Sequence, residues 1–474
     1  MPGHFAVNHS QPRARRWRRW RPLLVASLLA LASDGARAIP SGCRIERGEL
    51  AMPDGVRLAA TYFLPAAGLP GERFPVLLEL LPYRKDDSFY LRDLPHHAFW
   101  AGRGFVSVKV DLRGTGSSEG RVPEREYSEA ELDDAIEIVR QLAAMPWSNG
   151  RVAMWGISWG GFNAYQVALR KPPALAAIVA VHASDDLWRD GIDYLDGILH
   201  LDPYHLQIHH ENGLPRPPDY PLDDAYFRDR FDVRPWLFDH LGEPRDGAFW
   251  RPGIRLARGA RLEVPVYAIA GLLDGYRDFP LRLLERAHAP VRVEVGPWNH
   301  DWPHGGAPGP NYEWGENAVR FLERFLVDGE RPDPAERTLV LFQREGHAPD
   351  PELATTPGAF RATSWPVPGT AERTWLAGSD GRLVETDPAP GARRLAARAG
   401  AGTAAGIWWG EPTGDQREDD AQSLVYDSAP LAIPLAIAGF PRVRVLATFD
   451  RPAAHLVARL EEVDPEGRVS LVTA

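Results

Sequence analysis

Residues 151–171, RVAMWGISWGGFNAYQVALRK, can fold in very few ways. A short apolar strand runs into a turn made of Gly156, Ser158, Gly160 and Gly161, and an amphipathic helix opens at once behind it. Glycines at those positions permit tight backbone packing, which a sharp strand-to-helix turn demands. Such a turn exposes the Ser158 hydroxyl and aims a helix N-terminus at any oxyanion that develops beside it. The string G-x-S-x-G also occurs at 116–120, centred on Ser118. There it follows DLRGTG and precedes RVPERE, polar and turn-like with no helix behind it, as expected of a surface loop. With 44 glycines in 474 residues the string alone carries little weight, so context selects Ser158 as the nucleophile candidate.

The context extends on both sides. Apolar runs at 76–81, 105–110, 152–155 and 178–181 read as buried strands, and 127–144 has helical spacing with acids early in it. Strands separated by helices imply a parallel sheet with crossovers, hence an α/β domain over 44–181. Residues 182–261 are rich in His, Asp, Trp and Pro, lack strand rhythm, and read as an inserted helical cap. The α/β rhythm resumes over 262–330, with strands at 264–271 and 291–296 and a helix at 317–326. From 335 to 474 short strands at 338–342, 373–376, 422–426, 442–449 and 455–463 alternate with Gly, Pro and Asp turns, the rhythm of an all-β sandwich.

A serine hydroxyl needs a base, and the base needs an acid to hold its tautomer. In this fold the chain order is serine, acid, histidine. Asp274 lies just past the strand at 264–271 and His300 just past the strand at 291–296, both on the edge where parallel sheets bind ligands. Rivals by position are Asp278, His288 and His304. The 300–304 histidine pair lacks the acid or cysteine cluster of a metal site, so no metal and no cofactor are expected.

Composition narrows the function classes. The chain carries 54 Lys and Arg against 64 Asp and Glu, a balance of −10 with no long basic stripe, which argues against a nucleic-acid partner. A lone cysteine, Cys43, leaves no internal disulfide framework. Six arginines before residue 22, an apolar run at 22–33 too short to span a bilayer, and A-R-A at 36–38 have the layout of a secretory signal. Removing 1–38 takes seven positive charges and one negative with it, leaving −16 and no membrane span. An exported, periplasmic or secreted protein is expected. Cys43 as a lipid anchor lacks the aliphatic residue that such a site needs before it. Nothing here fixes the oligomeric state.

Several blocks in order, LPYRKDD at 81–87, DLRGTGSSEG at 111–120, WSNGRVAMWGISWGGF at 147–162, GLLDGY at 271–276, GPWNH at 296–300 and LVARLEEVDPEGRVS at 456–470, resemble the cocaine-esterase and X-prolyl dipeptidyl aminopeptidase family, the CocE/NonD hydrolases. The resemblance runs from about Glu46 to the last residue. It implies an α/β-hydrolase core, a helical cap and a C-terminal, galactose-binding-like jelly roll packed over the site. It implies Ser158 as nucleophile, His300 as base and Asp274 as its orienting acid. The oxyanion hole would combine the Trp159 backbone N–H with the Tyr83 hydroxyl, a donor that needs no reorganisation during reaction. Members of the family continue past the 464–470 block, whereas this chain stops at Ala474, so the sandwich is expected to lack its closing strands and keep an open edge.

The reaction class expected is acylation of Ser158 by an ester, amide or short peptide, followed by hydrolysis. The acyl group stays open. Asp185, Asp186, Asp190, Asp193 and Asp196 crowd the start of the cap. They read either as a carboxylate anchor for a free α-amino group, with Asp185, Asp186 and Trp188 binding substrate, or as a capping-rich solvated segment, which is the favoured reading. Trp188, Trp236 and Trp250 fit an apolar acyl pocket or the cap's own core. His200, His205, His209 and His210 show no ligand spacing. Three functions remain: an exported serine esterase or amidase, an X-Pro dipeptidyl aminopeptidase or α-amino acid ester hydrolase, and a non-catalytic secreted binding protein.

Overall fold

The computed structural model describes residues 43–66, 71–195, 197–200, 211–214, 222–250, 259–407, 409–452 and 454–474. The expected signal at 1–38, Asp196, and the histidines 205, 209 and 210 lie outside them. Two antiparallel strands open the described chain, β1 (Cys43–Ala51) and β2 (Arg57–Pro65). The expected alternation follows: β3 (Phe74–Leu81), α1 (Tyr90–Gly102), β4 (Val106–Asp111), α2 (Glu129–Ala144), β5 (Ser148–Ile157), α3 (Trp159–Arg170) and β6 (Leu175–Val181). The cap contributes a two-stranded ladder, β7 (Tyr194–Leu195) with β8 (Ile198–Leu199), then α4 (Asp224–Arg230) and α5 (Trp236–Gly242). The core resumes with β9 (Val266–Gly271), α6 (Phe279–Arg286), β10 (Val291–Gly296) and α7 (Gly315–Leu326).

These strands form one sheet in the order β1-β2-β4-β3-β5-β6-β9-β10, parallel from β4 onward. The two-residue period of each strand divides its side chains between two cores. Val76, Leu78, Val152, Met154, Ile178, Ala180, Val266 and Ala268 face α2, α3 and α6. Leu77, Ala153, Trp155, Val179, Tyr267 and Ile269 face α1 and α7, with Trp100, Phe321 and Leu322 from the helices. Burial on both faces explains why the strands read as continuous apolar runs rather than alternating ones. The fold is that of an α/β-hydrolase core.

The C-terminal region departs from expectation in two respects. The strand read at 338–342 belongs to β11 (Arg337–Arg344), which pairs parallel with β10 and, with antiparallel β12 (Gly358–Thr363), extends the central sheet to ten strands. Strand propensity alone cannot tell which sheet a strand joins. Beyond it, ladders among the described residues are short: β13 (Leu376–Ala377) with β14 (Leu383–Val384), and β15 (Leu460–Val463) with β16 (Val469–Thr473). A one-turn helix, α8 (Arg417–Asp420), lies between the two pairs. The runs read as strands at 422–426 and 442–449 have no ladder there, and Leu431, Ile433, Leu435 and Ile437 alternate along an exposed, extended segment.

Two local features hold the sheet's C-terminal edge in shape. Around the turn at 156–161, a Cβ on Gly156 would lie 2.8 Å from Gly160 Cα, and one on Gly161 would lie 2.6 Å from the Ala183 Cβ. At the head of α2, Ser128 Oγ accepts the Glu131 N–H at 3.2 Å, a capping interaction worth about 1 kcal/mol. The Glu131 carboxylate then accepts from the Tyr127 N–H at 2.9 Å and from the Trp159 indole N–H at 2.7 Å, which ties α2 to the first residue of α3. Burial pushes the Glu131 carboxyl up to about 7.

The cap is joined to the core by buried charge. Arg230 donates to the carbonyls of Gly116, Gly213 and Ser118, so α4 grips the loop that carries the second G-x-S-x-G string. His240 lies 2.5 Å from Asp193 and 3.2 Å from Glu126. Burial opposes charge on His240, but the two carboxylates outweigh it and push the imidazole up to about 10.

Two outcomes test these contacts. Gly161→Ala should lower unfolding stability in urea by about 1–3 kcal/mol through overpacking, whereas Gly102→Ala, with open space around its missing Cβ, should change it by less than about 0.5 kcal/mol. A raised carboxyl binds its proton more tightly in the folded state, so Glu131 contributes stability that is full below about pH 4.5 and lost as pH rises toward 7. Glu131→Gln should flatten the stability–pH curve over that window, as urea titrations across pH would register.

Candidate active site

Ser158 sits at the head of α3 in a left-handed conformation, φ 56° and ψ −119°. A non-glycine residue there is strained by on the order of 1–3 kcal/mol and stays only where its surroundings enforce it. The enforcement is visible: the Ser158 N–H donates to the Val181 carbonyl of β6 at 2.9 Å, and its own carbonyl accepts the Phe162 N–H at 2.9 Å, starting the helix. The N–H groups of the first helical turn, Trp159 included, have no acceptor within the helix.

Ser118 is used differently. It is fully buried, donates to the Asp111 carbonyl at 2.6 Å and accepts the Ala59 N–H at 2.9 Å. Its hydroxyl pins a loop to β2.

Asp274 follows β9 and is completely buried. Its Oδ1 accepts the Tyr276 N–H at 2.7 Å, and its Oδ2 lies 2.5 Å from His300 Nδ1. A third group stands beside the same oxygen, His182 Nδ1, at 3.5 Å. Burial pushes the Asp274 carboxyl up, but the imidazoles of His182 and His300 outweigh it and hold the group well below the usual carboxylate range. The three donor atoms lie within 4.8 Å of one another. The short Asp274–His300 contact is the geometry of an N–H···O bond, and a cation held by both atoms would have to break it.

The acid and base loops are locked to each other by backbone. Leu272 N–H donates to Gly296 O at 2.8 Å and Leu273 N–H to Trp298 O at 3.2 Å. The Tyr276 ring spans from the Phe162 ring on α3, at 4.9 Å, to the His300 ring, at 5.7 Å, so the helix that carries Ser158 and the loop that carries His300 share one aromatic wall. Tyr83, two residues past β3, is buried with its ring edge-on to Trp159 at 6.2 Å. The C-terminal domain closes over the same loops: His300 N–H donates to Trp409 O at 3.0 Å, and the two rings lie 5.1 Å apart. Gly410, φ 83°, passes so near that a Cβ would sit 2.4 Å from the Leu273 carbonyl.

The cap acids are occupied in local structure. Asp186 Oδ1 accepts the N–H groups of Trp188 and Arg189, both at 3.2 Å. Asp190 accepts the Ser184 hydroxyl at 2.5 Å and pairs with Arg282. Asp185 is buried beside them, 6% exposed. Trp188 packs its indole over Gly197. Trp250 belongs to the cap's own core, against Tyr194 and His240, while Trp236 reaches the site and packs on Trp159 at 5.7 Å. Of the rival residues, Asp278 stands at the head of α6 and His304 packs on His96. The His288 N–H closes a backbone bond to Leu262.

Sequence reasoning missed His182, Tyr276 and Trp409. Tyr276 ends the GLLDGY block and His182 is the first residue past a strand beside the serine, so both stood in positions that could be flagged. Trp409 follows an Ala/Gly/Arg-rich stretch with no local signal.

Comparison with known proteins agrees with this fold. Residues 54–302 match the X-Pro dipeptidyl-peptidase (S15) family, and residues 337–474 match the X-Pro dipeptidyl-peptidase C-terminal non-catalytic domain. The chain is 26% identical over 473 residues to the cocaine esterase of Rhodococcus, covering 88% of this chain and 80% of that protein. Two solved structures share the fold. An aminopeptidase from a marine-sediment Thaumarchaeota archaeon matches with a TM-score of 0.59 at 19% identity, over 81% of this chain and 71% of its own. A CocE/NonD family hydrolase from Staphylococcus aureus matches with a TM-score of 0.56 at 20% identity, over 73% of this chain and 60% of its own length. In fold and sequence alike, the chain belongs to the X-Pro dipeptidyl-peptidase (S15) family of serine hydrolases.

Proposed function

We propose that the protein hydrolyses esters or amides of small molecules through an acyl-enzyme on Ser158. The observation that carries this is the buried Asp274–His300 hydrogen bond on the strand edge that also bears the strained serine turn. In the first half-reaction Ser158 Oγ attacks the substrate carbonyl carbon while His300 Nε2 takes the hydroxyl proton. Asp274 stays ionised, holds the imidazole with Nδ1–H toward itself, and stabilises the cation that forms. The tetrahedral oxyanion is met by the Trp159 N–H and the Tyr83 hydroxyl. His300 then gives its proton to the leaving alcohol or amine as the C–O or C–N bond breaks. Water repeats the sequence, with His300 as base, and the carboxylic acid leaves.

Esterase or amidase chemistry is favoured over X-Pro dipeptidyl aminopeptidase or amino-acid ester hydrolase chemistry by the cap acids. A free α-amino group needs an available carboxylate, and Asp186 is already engaged by two backbone N–H groups. The proposal includes export: residues 1–38 would act as the signal, with cleavage after Ala38, leaving Cys43 without lipid. No helix among the described residues is long and apolar enough to cross a membrane.

With p-nitrophenyl esters, Ser158→Ala and His300→Ala should each lower kcat by about 10⁴-fold or more. Tyr83→Phe should lower it by about 10²-fold at nearly constant KM; equal rates in wild type and Ser158→Ala would overturn the mechanism. Side by side, acyl esters without a free amine should outpace X-Pro anilides by kcat/KM, and Asp185→Asn or Asp186→Asn should leave that ratio unchanged. A strict requirement for a free amine, lost in either variant, would favour the aminopeptidase reading.

A further inference from the structure

His182 is the first residue past β6, and nothing in the mechanism above uses it. Its φ is positive, 47°, a region in which histidine is one of the non-glycine residues more often found. Its N–H is bound to the Ile269 carbonyl of β9 at 2.8 Å, and its side chain is completely buried. The ring makes a bridge. Nε2 lies 2.8 Å from the Asp301 carbonyl, which can only accept, so Nε2 carries a hydrogen. Nδ1 faces Asp274 Oδ2 at 3.5 Å, the same oxygen that receives His300, and the two imidazole centroids are 5.4 Å apart. Gly271 makes room for this arrangement, since a Cβ there would lie 3.1 Å from His182 Cε1 and 2.1 Å from the Trp298 carbonyl. A histidine kept for packing alone would not need the Nε2 hydrogen bond to the loop that carries the base.

We propose that His182 is a positioning residue of the site: buried beside the Asp274 carboxylate, it anchors the base loop through its Nε2 hydrogen bond to the Asp301 carbonyl. The proposal rests on the reading of Ser158, His300 and Asp274 given above and adds a residue to it. The Nε2 contact fixes the backbone of Asp301, the neighbour of His300, so it sets where the base stands relative to the serine. The groups facing His182 are Asp274 from the loop after β9 and His300 and Asp301 from the loop after β10.

Two conservative variants separate the contacts. Asparagine tolerates the left-handed backbone and reaches only toward Asp274, while glutamine reaches the Asp301 carbonyl and carries no charge. On a p-nitrophenyl ester, His182→Ala should lower kcat by about 10–100-fold with KM within about twofold, the signature of a displaced base rather than lost substrate binding. His182→Gln should recover most of kcat, His182→Asn little of it. Circular dichroism and thermal unfolding of all three variants identify any that fails to fold, and only folded variants are compared. A folded His182→Ala that keeps wild-type kcat would overturn the proposal, as would a loss confined to KM. If wild-type turnover proved independent of Ser158, the functional reading itself would fail; Ser158-dependent turnover with indifferent His182 variants would sink this proposal alone.

Discussion

A carboxylate with no solvent exposure is the constraint around which the rest of this molecule is arranged. Asp274 sits at the end of β9 where water cannot compensate its charge, and an uncompensated buried charge costs several kcal/mol. Compensation arrives from the Tyr276 N–H and from His300, with the His182 ring beside the same oxygen. The two hydrogen bonds come from the loops after β9 and β10, so the carboxylate can be satisfied only when these strands are side by side and their following loops are folded. Folding of the sheet edge and assembly of the site are therefore one event.

The same edge is partly covered. The C-terminal domain places Trp409 against His300 and threads Gly410 past Leu273, and the cap places Trp236 on Trp159. The complete burial of Asp274 strengthens its interaction with His300. The cap is held down by Arg230 on the Gly116–Ser118 loop, so the second G-x-S-x-G string, inert as a nucleophile, serves as the seat of the lid.

What could be read from sequence, and what could not, follows from the range of each interaction. The strands at 76–81, 152–155 and 178–181 announced themselves because burial on both faces leaves mostly apolar residues, and the Ser158 turn because its glycines stand together between a strand and a helix. The α2 helix was legible in its apolar spacing and early acids for the same local reason. The strand at 338–342 was visible as a strand but not as a member of the central sheet, since its partner, β10, is chosen by packing some forty-five residues upstream. Trp409 was invisible as a site residue because its contact, to His300, is made across more than a hundred residues of chain; His182 could be flagged by its place after β6, but its contact to Asp301 could not. The crowd of acids at the start of the cap was ambiguous until Asp186 and Asp190 were seen bonded to their own turn and to Arg282.

The central claim is that Ser158 is a nucleophile activated by His300 on a buried Asp274. A fluorophosphonate probe, followed by peptide mass spectrometry, tests it most directly. The account predicts one stoichiometric adduct, on Ser158 in the peptide spanning the β5–α3 turn, formed far more slowly in His300→Ala and absent in Ser158→Ala. An adduct on another residue, or labelling of Ser158→Ala as fast as wild type, would contradict it.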